Sequence, residues 1–258
     1  MPSEPPTSST EQTSQAVQKL MDQYTEIARL AGALAHEIKN PLSTIRLNME
    51  LLAEDLETEE QRETSSPAQR RAAKRIDLVH RECQRLQDLL DDFLNYAKVR
   101  HLDLQPTDLN AEISDALDFF TPEADEAKVE IVRYLDPELP HVMLDREAFR
   151  GALLNLMLNA KQAMPAGGQL VARTKASGDK VALYLIDTGV GMDESTAAQM
   201  FDAFFSTKPG GSGLGLPTTA KIIEAHDGRI SVQSSVGNGT QFTIELPVPA
   251  RLESGSIE

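Results

Sequence analysis

The sequence predicts an α+β protein in two parts: a helical hairpin that pairs into a dimeric four-helix bundle, then an α/β sandwich. Two observations carry this expectation. Apolar residues recur every three or four positions over a long N-terminal stretch, and beyond residue 102 helix-like and strand-like segments alternate around a glycine-rich loop. A chain of 258 residues has room for a core in each part.

Residues 1–15 are Pro, Ser, Thr, Gln and Glu with little apolar surface, and are expected to form a disordered tail. From Ala16 the apolar positions Leu20, Tyr24, Ile27, Leu30, Leu34, Ile38, Ile45, Met49, Leu52 and Leu56 predict one long amphipathic helix. Asn40-Pro41 interrupts it; the proline lacks an amide hydrogen and crowds the carbonyl of residue 37, so a kink is expected there and not a stop. An acidic turn over 57–63 follows. Ser65-Ser66-Pro67 then reads as a cap with a first-turn proline, opening a second helix through Ile76, Val79, Cys83, Leu86, Leu90, Phe93, Leu94 and Ala97. A hairpin this long has one neighbour for its apolar stripe, so two hairpins should pair into a four-helix bundle and make a homodimer.

Gln105-Pro106-Thr107-Asp108 reads as a junction. The expected elements beyond it are a helix over 108–127, strands over 128–134 and 141–144, and a helix over 145–164. Strands over 168–175 and 180–187, a long glycine-rich loop, a helix over 216–226, and strands over 229–235 and 239–247 complete the set. The predicted divisions are therefore a tail 1–15, a hairpin 16–102, a sandwich domain 103–250 and a polar tail 251–258.

Composition narrows the partners. Forty acidic against 25 basic residues give a net charge of −15, with no basic patch, which argues against nucleic acid and anionic lipid surfaces. The sequence has neither an apolar run of about 18 residues nor a secretory leader, so no membrane span and a cytoplasmic location are expected. The single cysteine, Cys83, lies in the periodic stretch and is expected to be a small buried side chain.

Several residues have the chemistry of a site. His36 sits on the long helix beside Glu37; a neutral imidazole can attack phosphorus while a carboxylate orients the ring, although an isolated His-Glu pair is more often an ordinary helix surface. Asn155 and Asn159, four apart on a helix, can turn two amide oxygens toward a hard cation such as Mg2+, or can be a polar pair on a solvated face. Their apolar neighbours weigh against the solvated face. Asp187 ends the apolar strand 181–186 and opens onto Gly189 and Gly191, where it can hold a ligand amine or simply cap a turn. Gly211, Gly213 and Gly215 run into a periodic helix, which separates them from a flexible linker and suits phosphate oxygens approached by backbone amides. The stretch is neither a Walker loop nor a dinucleotide fingerprint. Residues 190–210 would be a mobile lid, with Lys208 either a point charge for a γ-phosphate or a solvated lysine. His80, His101, His141 and His226 have no zinc-like spacing and are expected to be structural or surface residues.

The segment His36-Glu37-Ile38-Lys39-Asn40-Pro41-Leu42 closely resembles the phosphoacceptor box of the bacterial two-component sensor histidine kinases, in the manner of the nitrogen-regulatory kinases. Residues 155–160 resemble that family's asparagine box, 187–192 its first glycine box, 201–208 its phenylalanine box and 211–216 its second glycine box, all in the family's order. The resemblance covers roughly 16–248. It implies a sandwich of the histidine kinase and Hsp90-like type, ATP as phosphoryl donor, Mg2+ held chiefly by Asn159, and adenine read by Asp187, which favours ATP over GTP. It also implies phosphorylation of His36, transfer to an aspartate of a response regulator, Glu37 as base or orienting group, and Asn40 as the residue holding water in a reverse, phosphatase reaction. The ATP-holding domain would have to swing toward His36, with a hinge near 100–107. Fifteen residues before the bundle are too few for a sensory domain, so the expectation is either a separate sensory protein that contacts the bundle or a sensor-less signalling core. Two rivals are a conformational ATPase or serine-phosphorylating switch kinase, for which the His36 box would have no purpose, and a non-enzymatic scaffold, which should have lost Asn159, Asp187 or the glycines.

Overall fold

A computed structural model describes residues 31, 34, 37–52, 67–98, 102–208 and 211–249. The expected tails 1–15 and 251–258, the first half of the long helix, and the Ser65-Ser66 cap lie outside the described residues. The chain divides into two compact units, Met1–Phe93 and Leu94–Glu258.

In the first unit, residues 37–52 are helical (α1), and Pro41 lies buried within that helix without ending it. Next to the proline, Ser43 and Thr44 donate their hydroxyls to the carbonyls of Lys39 (2.8 Å) and Asn40 (3.3 Å), as short polar side chains do within a helix. α2 (Pro67–Lys98) begins at the expected first-turn proline. The Arg75 guanidinium donates to the Leu51 carbonyl, joining the start of α2 to the end of α1 as an antiparallel hairpin requires. Much of the hairpin's apolar surface stays open: Leu42, Leu47, Met49, Ile76 and Leu90 are each about half exposed, between 47% and 54%. Cys83 is also exposed, against expectation. It stands seven residues from both Ile76 and Leu90, on their stripe and off the seam through Val79, Leu86, Leu89 and Phe93 that turns inward. None of the described helices is long and apolar enough to cross a membrane.

The second unit holds β1 (Gln105–Thr107), α3 (Leu109–Glu126), β2 (Val129–Tyr134), β3 (Val142–Leu144), α4 (Arg146–Ala163), β4 (Gly168–Ser177) and β5 (Lys180–Asp187). These are followed by α5 (Glu194–Gln199), α6 (Gly215–Ala225), β6 (Arg229–Ser234) and β7 (Thr240–Pro247). Five strands form one mixed sheet in the order β2-β4-β5-β7-β6; β2 and β4 are parallel and every other pair antiparallel. α3, α4 and α6 cover one face, and the core of Phe120, Phe149, Leu153, Leu156, Leu183 and Ile223 fills the space between. β7 alternates strictly, Thr240, Phe242, Ile244 and Leu246 buried and the residues between them half-exposed, the pattern of a sheet covered on one side.

Two elements were not expected. The junction 105–107 is a strand paired antiparallel with β3, Gln105 opposite Leu144 and Thr107 opposite Val142, in a two-stranded sheet where an edge proline is tolerated. Those residues therefore belong to the folded second unit and are not a free hinge, and residues 100 and 101 of the expected hinge lie outside the described residues. The glycine-rich loop is interrupted by α5. Its first part is held by backbone bonds from Val190 to Ala163 (3.0 Å) and from Gly237 to Val190 (2.7 Å), so the expected lid over 190–210 is not one continuous loop.

Candidate functional site

Each helix start in the second unit has a cap except one. Asp108 caps α3 by accepting from the amides of Asn110 (2.9 Å) and Ala111 (3.2 Å), Asp145 caps α4 through Ala148 (3.0 Å), and Asp193 caps α5 through Thr196 (2.7 Å). α6 starts at Leu214 and Gly215 with no side-chain cap. Its first-turn amides are thus left for another acceptor.

α4 and α6 meet through the asparagine box. Asn155 donates to the Thr219 hydroxyl at 2.8 Å, and a Cβ on Gly215 would lie 2.5 Å from the Asn155 carboxamide oxygen, so only glycine lets the start of α6 come this near. Asn159, one turn on, donates to the Asn155 carbonyl at 2.9 Å, which fixes its amide with the oxygen free of the helix. That oxygen accepts from the Lys208 ammonium at 2.5 Å, and the same ammonium donates to Gln162 Oε1. Desolvation holds Lys208 below the ordinary lysine pKa, although the residue as a whole is exposed.

Asp187 is the last inward residue of β5, continuing the row of Val181, Leu183 and Leu185 under the helices. It is 4% exposed, and its Oδ1 accepts the amides of Gly189 (2.8 Å) and Thr240 (3.2 Å). Burial raises its pKa above the usual aspartate value; the two amide bonds pull the other way and do not cancel the shift. A Cβ on Gly189 would come within 2.7 Å of Ala163, at the end of the asparagine-box helix. Gly191 has φ +65° and its Cβ would lie 2.1 Å from the Ser235 carbonyl; Gly213 also has φ +65°, against Phe204. Gly211 lies nearest the flexible Ser206 hydroxyl.

The structure thus brings together Asn155, Asn159, Lys208 and Gly215 in one group of contacts, and Asp187, Gly189 and the end of α4 in another on the same helix. Glu37 and Asn40 lie on α1 in the first unit, and His36 lies outside the described residues. Four participants escaped the sequence reading: Thr219, Gln162, Gly239 and Thr240. The first two sit one turn from recognised positions, Gly215 and Asn159, and helical spacing could have found them. Gly239 (φ +77°) and Thr240 line Asp187 from a different strand, which no local pattern announces. Among the described residues no three of His, Cys, Asp or Glu gather into a metal cage. His226, left unassigned above, is 3% exposed and joins the start of α4 to the end of α6: Nε2 accepts the Asp145 amide at 2.9 Å and Nδ1 donates to the Ile222 carbonyl at 2.7 Å.

A three-helix layer on a mixed sheet, with glycines and an uncapped helix at one end of it, defines an ATPase domain of the histidine kinase and Hsp90 class. The family described as "Histidine kinase-, DNA gyrase B-, and HSP90-like ATPase" matches residues 144–250, and the "His Kinase A (phospho-acceptor) domain" matches 26–102. Together they place the chain: it belongs to the sensor histidine kinases of two-component signalling. The signal transduction histidine-protein kinase AtoS of Escherichia coli (strain K12) is 32% identical over 228 residues, covering 88% of this chain and 36% of AtoS. The sensor histidine kinase ZraS of the same organism is 32% identical over 230 residues, covering 89% of this chain and 47% of ZraS. The chain therefore spans less than half the length of either relative. Among solved structures, full-length ShkA in complex with AMPPNP is similar at 28% identity and a TM-score of 0.58, covering 84% of this chain and 45% of ShkA.

Proposed function

We propose that this chain is an ATP-dependent protein-histidine kinase that phosphorylates His36 and passes the phosphoryl group to an aspartate of a response regulator. What supports this best is the meeting of the asparagine box, Lys208 and the uncapped start of α6, segments far apart in sequence that have the donors and acceptors a nucleotide's phosphates and cation call for. The ShkA complex with AMPPNP agrees with a nucleotide at this fold.

In this reading Asp187 accepts the adenine amine. Its two amide bonds fall on Oδ1 and leave Oδ2 for the ligand, and guanine, with a carbonyl at that edge, is disfavoured. Gly189 and Gly191 keep the wall of the base pocket thin, while Gly211, Gly213 and Gly215 let the amides leading into α6 approach the phosphates. The Asn159 oxygen already takes a cationic partner, so its chemistry suits Mg2+, which when bound offsets phosphate charge. Asn155 is the lesser ligand, because its oxygen faces Asn159 Nδ2 at 3.4 Å and its amide is spent on Thr219.

Phosphoryl transfer depends on positioning and charge neutralisation. A His36 nitrogen attacks the γ-phosphorus, the bond from phosphorus to the bridging oxygen breaks, and ADP leaves with that electron pair. Glu37 orients the ring or takes its other proton, and Asn40 holds water for the reverse reaction on the regulator. The exposed heptad stripe of the hairpin supports a homodimer. Domain limits of 16–102 and 103–250 and a cytoplasmic setting complete the proposal.

Calorimetric titration with ATP and Mg2+ tests it. The wild type is expected to bind, and Asp187→Asn and Asn159→Ala each to weaken binding roughly 10- to 100-fold, the size of one hydrogen bond to a charged group. Because Asp187 must be ionised to accept the amine and burial raises its pKa, affinity should fall on acidification at a pH still above 3.8. Titrations left unchanged by both substitutions would overturn the assignment.

A further inference from the structure

Asn159 and Gln162 stand three apart on α4, on one face of the helix, and the Lys208 ammonium bridges their two side-chain oxygens. The lysine is held from its own side as well: its amide donates to the Ser206 hydroxyl at 3.2 Å and its carbonyl accepts from the Gly211 amide at 3.2 Å. The Asn159 oxygen is the one to which the cation of the nucleotide has been assigned above. A divalent ion ligated at about 2.1 Å and an ammonium nitrogen at 2.5 Å from the same oxygen would be two positive charges only a few ångströms apart, which repel at that distance.

Resting on the reading of this site as one for ATP and Mg2+, we infer that Lys208 and the divalent cation compete for Asn159 Oδ1, and that Gln162 is the positioning residue that retains the displaced ammonium beside the phosphates. Gln162 suits that task because it is neutral. Its oxygen holds the ammonium by a charge-assisted bond without cancelling the charge, so Lys208 keeps its full attraction for a phosphate after yielding Asn159. A carboxylate at the same place would neutralise it. Metal binding and the choice of partner by Lys208 are thereby one event.

The test uses the full chain and trinitrophenyl-ATP, with fluorescence followed as free Mg2+ is raised at fixed nucleotide, and the nucleotide titrated again at saturating Mg2+. Lys208→Met is expected to lower the Mg2+ concentration at half-saturation by roughly tenfold, the size of one charge-assisted hydrogen bond, even while the plateau affinity for nucleotide drops. Gln162→Ala should weaken nucleotide binding at saturating Mg2+ several-fold when Lys208 is present, and have no further effect in the Lys208→Met background. An unchanged Mg2+ midpoint in Lys208→Met, or an equal effect of Gln162→Ala in both backgrounds, overturns the inference and leaves the nucleotide site standing. Failure of the wild type to bind the analogue with Mg2+ present would instead remove the site itself, and the competition with it.

Discussion

The two units treat their apolar side chains differently. In the second, Phe120, Phe149, Leu153, Leu156 and Leu183 are at most 2% exposed and belong to one core. Among the described residues of the first only Pro41 and Leu89 are buried, while a stripe through Ile76, Cys83 and Leu90 faces outward at heptad spacing. A sheet with helices on one face closes its own core, whereas a two-helix hairpin has a second apolar stripe that a single copy cannot cover. The difference fits the proposal that the α/β unit closes its own core while the hairpin pairs its described outer stripe with a second copy.

The comparison can be broken at either end. Ile76→Glu with Leu90→Glu should have the largest effect, converting a dimer to a monomer by light scattering at micromolar concentration while the melting of the second unit stays where it was; a dimer that persists would put the interface elsewhere. Leu156→Ala should do the reverse. It removes a fully buried side chain from the second core, at a cost of about 2–5 kcal/mol in denaturant unfolding, and the dimer should survive.

Asp145→Ala sharpens the contrast with a smaller change. Asp145 caps α4 and also accepts the Asp103 amide at 3.0 Å, so about 1 kcal/mol of stability should be lost at neutral pH. The bond from the Ala148 amide is the main reason its pKa lies below 3.8; burial opposes it, and the Asp103 amide and nearby His226 add to the lowering. A carboxyl whose pKa is lowered by folding stabilises the protein above its unfolded value, and that contribution disappears as pH falls below 3.8 toward the folded value. The difference between wild type and Asp145→Ala should therefore shrink only in strong acid. A gap that closes already between pH 5 and 6 would assign the effect to another group.

Most of the second unit was legible because its signals are local. Asp108 and Asp145 announce helix starts, alternation marks β7, and the apolar run 181–186 ending in Asp187 marks β5. What was missed depends on pairing. Gln105-Pro106-Thr107 is a strand only because β3 lies beside it, and α5 is too short to show a period. In the proposed site, Asn155, Asn159, Asp187 and the glycines are singled out by their ordered boxes, but their neighbours Thr219, Gln162, Gly239 and Thr240 come from other elements or from positions with no motif of their own. Cys83 was misjudged for the same reason: periodicity tells that a helix has an apolar side and does not tell which of two stripes the chain itself covers.

The measurement that bears most directly on the whole account is incubation of the full chain with Mg2+ and γ-labelled ATP, followed by acid and base treatment and peptide mapping. The account predicts label that is acid-labile and base-stable, located on His36 and absent from His36→Gln, whose nucleotide titration is unchanged. Acid-stable label on a hydroxyl side chain, or undiminished labelling of His36→Gln, would contradict it.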